Sequence, residues 1–166
     1  MKISILLPLK ENFSPSYAGA VSLFINDTLR FSKFKKNITV FGHTNYNKKF
    51  NQRYFNIDIK KNFFSSQNKE YVKTFIEIEK KNNSQIIELH NRPIYLKYLI
   101  NDLKEKDYIL YFHNDPLTMS GSKSIEERSF LLNSCYKIVF NSNWSKKRFL
   151  QKMKSDAINS EKLIVI

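Results

Sequence analysis

Short apolar runs separated by stretches of helical spacing constrain this chain more than any other feature of its sequence. Runs rich in β-branched and aromatic residues occupy positions 3–8, 38–42, 86–89, 108–112, 137–140 and 163–166. Apolar residues continue through them without regular polar alternation, the pattern of strands covered on both faces. Between them, residues 18–33, 68–81, 93–104, 124–133 and 143–153 place apolar side chains at helical spacing. Strand alternating with helix predicts a parallel sheet joined by right-handed crossovers. The expected fold is therefore α/β: a doubly wound, Rossmann-like, mostly parallel sheet. The stretch 45–64 is the least regular, and YFNIDI within it reads as a short edge strand or a loop.

Length sets the scale. A chain of 166 residues is the size of one domain and buries roughly 70% of its unfolded surface on folding. No repeat, low-complexity tract or linker divides it. With 42% hydrophobic residues, among them 14 Phe and 9 Tyr, it is not a disordered tail. The single cysteine, Cys135, lies in LLNSCYKIVF, where a helix gives way to a strand, and reads as a small core residue in a reducing compartment. The opening MKISILLPLK is too short an apolar run, and too soon stopped by proline, for a signal peptide. No stretch approaches the roughly 18 apolar residues that cross a bilayer. The net charge of +13 admits two readings. One is a phosphate-rich partner; the other is a solvated surface, since the lysines are scattered in pairs and Asn, Ile and Phe are also plentiful, as coding rich in A and T would make them.

Ligands of an open parallel sheet bind beyond the carboxyl ends of its strands. The residues there are LKENFSPSYAG, GHTN, HNRP, HNDP and NSNW. In SPSYAGAVS, Gly19 lets backbone approach a ligand, and the free N–H groups of the helix that follows favour an anion such as a phosphate, although one glycine at such a junction also serves as a plain turn. Neither a GxGxxG fingerprint nor a Walker lysine is present. HNRP and HNDP each set a histidine at a strand end, then Asn, then a proline that stops the strand and leads into a helix. Two such histidines on one edge suit a ligand site as well as a structural role. They are not read as metal ligands, because no third ligand sits at a recognisable spacing.

The succession GAVSLFINDTLRFSKF–ITVFG, QIIELHNRPIY, YILYFHNDP, CYKIVFNSNWSKKRFL and EKLIVI resembles the N-terminal domain of family-4 glycosyltransferases, the retaining enzymes of the two-domain GT-B fold, over residues 2–166. The resemblance implies that residues 1–166 are the acceptor-side, Rossmann-like domain, that the chain stops at the interdomain hinge after LIVI, and that a C-terminal donor-binding domain is absent. It implies a hexosyltransferase whose donor is a nucleotide-diphosphate sugar, with no cofactor and no metal, and which is inactive as this fragment alone.

The same resemblance implies roles for residues. His113 matches the histidine at the reaction centre. Gly19 matches the second glycine of the loop near the donor diphosphate, with Ala18 standing where the family has the first. His90, Asn91 and Arg92 fall in the acceptor cleft, which Asn114 and Asp115 extend. Ser142 matches a serine that helix capping explains fully. The departing phosphate is taken to accept the acceptor's proton, so this half needs no carboxylate base. The partners implied are a nucleotide sugar, a glycan, lipid or lipopolysaccharide-type acceptor, and the missing domain, with no nucleic acid. The setting implied is cytoplasmic, in cell-envelope polysaccharide synthesis. NWSKKRFLQKMK has a composition suited to an anionic membrane surface on the inner face of the cell membrane, or to simple packing on the sheet. Two other classes remain open: a non-catalytic sugar- or lipid-binding remnant, and a basic α/β module for nucleic acid, for which no reading motif appears.

Overall fold

A computed structural model of the chain describes residues 1–59 and 66–166; Lys60, Lys61 and the end of the irregular 45–64 stretch lie outside the described residues. The strands are β1 (Ile3–Leu6), β2 (Ile38–Gly42), β3 (Tyr54–Asn56), β4 (Ile86–His90), β5 (Asp107–Phe112), β6 (Lys137–Phe140) and β7 (Leu163–Val165). The helices are α1 (Ala20–Phe31), α2 (Gln67–Asn82), α3 (Ile94–Leu99), α4 (Ile125–Ser134), α5 (Asn143–Leu150) and α6 (Ser155–Ile158). The strand order β3-β2-β1-β4-β5-β6-β7 is that of a doubly wound α/β sheet. The chain forms two compact units, Met1–Ile87 and Glu88–Ile166, and passes from one to the other within β4.

In the first unit, β1 pairs in parallel with β2, and β2 with β3. YFN is thus the edge strand, and its phenylalanine stays partly exposed. Every residue of β1 and β2 is buried, as strands sandwiched by helices must be. Alternate side chains go to opposite faces. Ile3, Ile5, Ile38 and Val40 pack with Val21, Ile25 and Leu29 of α1. On the other face Phe41 meets Phe75 of α2 edge to face at 5.2 Å. The end of α2 is fixed by a fully buried carboxylate. Glu79 accepts from Ser4 Oγ of β1 at 2.6 Å and from the Ser84 N–H at 2.7 Å, so its buried oxygens are not left unsatisfied.

In the second unit, β5 pairs in parallel with β6, and β6 with β7. Phe149 of α5 is fully buried against Phe112 and Phe140. The apolar side of NWSKKRFL therefore packs on the sheet. Trp144 is the exception, 58% exposed beneath the Arg148 guanidinium. Three helices are shorter than their spacing predicts, α1 by a little at each end and α3 and α5 mainly at their C-termini. The 93–104 pattern is helical only to Leu99, giving way at Asn101 and Asp102, which favour turns. The 143–153 pattern stops at Leu150, because the Gln151 carbonyl is taken by the buried Arg128 guanidinium at 2.8 Å and Lys152 turns left-handed at φ 63°. Arg128 also holds the Lys123 carbonyl at 2.7 Å, tying α4 to the end of α5.

Gly121, at φ +94°, approaches the start of α3 so closely that a Cβ would lie 2.6 Å from the Ile94 nitrogen; only glycine fits there. Cys135 is buried, and burial pushes its thiol up to about 12, so it behaves as a core residue. No helix among the described residues is long and apolar enough to cross a membrane.

The last strand departs from its expected burial on both faces. It pairs with β6 through Ile138, Val139 and Phe140, but as an edge strand it buries only Leu163, while Ile164 is 37% exposed. Burial of one such side chain stabilises by about 1.5–3 kcal/mol. Leu163→Ala should therefore lower unfolding free energy by about 2–3 kcal/mol, and Ile164→Ala by under about 1 kcal/mol. Equal losses in urea denaturation would contradict this edge assignment.

Candidate functional site

The second unit gathers polar groups where β4, β5 and β6 end. β4 closes on His90, and Asn91 follows in the left-handed region at φ 52°, a conformation Asn tolerates better than most residues. This turn lets Asn91 serve two partners. Its N–H donates to the Tyr111 carbonyl of β5 at 2.9 Å, and its side-chain Oδ1 accepts from the His113 N–H at 2.8 Å. From the other side Asn141, just beyond β6, donates through Nδ2 to the His113 carbonyl at 2.8 Å. Both backbone groups of His113 are thus held by asparagine side chains from flanking strand ends.

The His113 ring is held as well. His90 Nδ1 lies 2.9 Å from His113 Nε2. The His90 ring stacks on Tyr111 at 4.5 Å and 11°, and lies 5.3 Å from the His113 ring. Glu88 Oε2 lies 3.7 Å from His90 Nε2. Burial, helped by His90, lowers the His113 pKa to about 4, so the ring is neutral at physiological pH. Burial, with the Glu88 carboxylate beside it, holds the Tyr111 phenol well above its ordinary range. A neutral, oriented imidazole at a strand end can exchange hydrogen bonds with a hydroxyl.

The structure brings His90, Asn91 and His113 together as the HNRP and HNDP motifs suggest, with roles that differ by burial. His90 is 1% exposed and acts on its neighbours in the fold. Arg92 donates to the Asn91 carbonyl at 3.1 Å. Asn114 is exposed. Asp115 is committed to structure: it accepts from the Leu117 N–H at 3.0 Å and from Arg148 through Nε and Nη2, the latter at 2.9 Å. Those Arg148 bonds, foremost, hold its carboxyl below the usual carboxylate range. Ser142 caps α5, accepting from the Ser145 N–H at 3.2 Å. Glu88, Tyr111, Asn141 and Arg148 escape motif reading. Asn141 alone had a signal, since NSNW follows a strand. Among the described residues no group of three His, Cys, Asp or Glu side chains could hold a metal ion.

In the first unit, Gly19 is the N-cap of α1, in extended conformation at φ −81°, with Ala18 before it. The N-terminus of α1 already has an anion. Glu11 Oε1 accepts from the Ser22 N–H at 2.9 Å, and a Cβ on Gly19 would lie 2.4 Å from the same oxygen. The chain's own carboxylate thus accepts from one free N–H of the helix end and faces its partial positive charge. A phosphate at Gly19 and Ala18 would take the place of Glu11.

No protein-family model and no curated protein sequence matches the chain. Solved structures do share its fold. HepE of Anabaena, in complex with UDP and glucose, superposes with a TM-score of 0.65 at 15% identity, over 100% of this chain and 44% of HepE. The lipopolysaccharide outer core galactosyltransferase WaaB, in its apo form, gives 0.64 at 14% identity over 98% of this chain and 44% of WaaB. A sucrose-phosphate synthase structure from Thermosynechococcus elongatus gives 0.59 at 9% identity over 99% of this chain and 87% of that one. The chain thus has the architecture of part of these proteins, and spans less than half the length of HepE and WaaB.

A histidine with a lowered folded-state pKa binds fewer protons folded than unfolded between that value and about 6.5, so stability rises with pH across this window and is lost as pH falls through it. The unfolding midpoint should therefore drop from pH 7 to pH 4, and His113→Gln should flatten that drop relative to the parent chain; parallel curves would refute the neutral, partly buried ring. Glu11→Ala should cost about 1 kcal/mol in urea unfolding by stripping the α1 N-terminus of its acceptor.

Proposed function

We propose that this chain is the N-terminal, acceptor-side domain of a retaining glycosyltransferase of the GT-B fold. It would act with a C-terminal donor-binding half to move a hexose from a nucleotide-diphosphate sugar to a glycan, lipid or lipopolysaccharide-type acceptor. The observation that carries the reading is the held, neutral His113 at the end of β5, in a chain whose whole length shares the fold of glycosyltransferases. A sugar leaving a diphosphate develops positive charge on its ring and negative charge on the phosphate. A neutral imidazole can bond a sugar hydroxyl without opposing the first, and a helix N-terminus such as that at Gly19 favours the second once Glu11 is displaced from it.

In this reading His113 contacts the donor sugar, and Asn91, Arg92 and Asn114 the acceptor side; Gly19 and Ala18, in the first unit, are the residues assigned to a phosphate. His90 contributes from behind His113, and Asp115 shapes the loop through Arg148. The setting is the cytoplasmic face of the cell membrane, where the exposed Trp144 and the lysines of α5 meet anionic lipid.

Holding donor and acceptor together is worth about 7–11 kcal/mol, which one half cannot supply. The purified chain is therefore expected to transfer no sugar from a panel of nucleotide sugars to lipid acceptors. Turnover is expected on adding a separately expressed C-terminal half, and is expected to be lost again in His113→Ala. Turnover by the chain alone would refute the half-enzyme reading; binding of glycans without turnover in any assembly would favour a non-catalytic remnant.

A further inference from the structure

We propose that Glu88 and His90 are positioning residues that fix His113 in its Nε2–H tautomer and so leave the lone pair on Nδ1. The purpose of this arrangement rests on the glycosyltransferase reading, but the arrangement itself does not.

The argument begins with the 2.9 Å between His90 Nδ1 and His113 Nε2. That separation places one hydrogen between the two nitrogens. In a neutral imidazole one nitrogen carries hydrogen and the other a lone pair, so the pair has two arrangements. Either His90 donates and His113 becomes Nδ1–H, or His113 donates and is Nε2–H. The choice is made at the far nitrogen of His90. There the Glu88 carboxylate oxygen lies 3.7 Å from Nε2, with the His90 side chain 1% exposed and that of Glu88 16% exposed. This is beyond hydrogen-bond distance but close for a charge little screened by water. An anionic oxygen attracts an N–H and repels a lone pair. His90 therefore carries its hydrogen on Nε2, its Nδ1 accepts, and His113 Nε2 is the donor. The stack on Tyr111 at 4.5 Å and 11° keeps the His90 ring from turning away from this alignment.

The consequence is chemical. Any hydroxyl that meets Nδ1 of His113 meets an acceptor, and a carbonyl or phosphate oxygen is disfavoured there. The buried His90 and the partly buried Glu88 thus set, without touching ligand, which kind of group the ring accepts.

The chain has three histidines, so long-range proton–nitrogen correlation spectra of the uniformly 15N-labelled chain resolve each ring, with His43→Gln and His113→Asn assigning them. At pH 8 imidazoles are ordinarily neutral, and His113 is expected as a single Nε2–H tautomer. In Glu88→Ala the bias is gone, and its two nitrogen shifts should converge toward those of a mixture. His90→Phe keeps an aromatic ring against Tyr111 but removes the acceptor, and should give the same convergence while the backbone amide spectrum stays superposable. An Nδ1–H or mixed His113 in the unaltered chain overturns the proposal even if neither variant folds. So does an unchanged Nε2–H signal in both variants. Because no ligand or turnover enters the measurement, failure of sugar transfer and failure of the tautomer assignment are separate results.

Discussion

Asn91 is the residue on which the second unit's site depends. In its left-handed conformation it ends β4, joins β5 through its N–H to Tyr111, and fixes the His113 backbone through its side chain. Each of these uses a different atom of one short side chain and its own peptide, and together they convert two strand ends into one rigid corner. Asn141 completes the arrangement from β6. Replacing Asn91 by a residue that avoids positive φ would put the turn under strain and leave the His113 N–H without its acceptor, two separate costs. With its backbone held on both sides and its ring bonded to His90, His113 is fixed at three points.

Carboxylates play a comparable part in the first unit. Glu79 is wholly buried and fixes the end of α2 to β1, while Glu11 fills the N-terminus of α1. Among the described residues neither pairs with a cation; Glu11 accepts from a backbone N–H, and Glu79 from hydroxyls, a backbone N–H and the Asn82 side-chain amide. The excess of lysine is partly used in a similar way. Lys162 donates to the Leu132 carbonyl at the end of α4, Lys137 to the Glu161 carbonyl and Lys146 to the Leu163 carbonyl. Cations at helix and strand ends answer unpaired carbonyls, so part of the net charge of +13 serves the fold itself.

Much of the architecture was legible in the sequence, because strands sandwiched between helices are written as continuous apolar runs and their connecting helices as a different period. ITVFG and KIVF emerge with the boundaries the runs suggest. The strand-end rule likewise pointed to His90, Asn91 and His113. What the motifs could not express was how deeply each of these residues is buried. HNRP and HNDP look alike, yet His90, the last residue of β4, is buried, while His113, one residue beyond β5, is only partly so. Nor could the motif show that Arg148, 33 positions away, bonds the Asp115 carboxylate.

The sequence by itself determined the alternation of strand and helix, the parallel sheet, the burial of Cys135 and the placing of two histidines at strand ends, since each follows from local pattern and the covalent order of the chain. The tertiary structure alone decided the edge exposure of β7, the early end of α5 at Arg128, the Glu11 carboxylate on α1, and the Glu88–His90–His113 alignment. Those depend on contacts between residues far apart in the chain, whose geometry is fixed only when side chains compete for the same space and the same hydrogen-bonding partners.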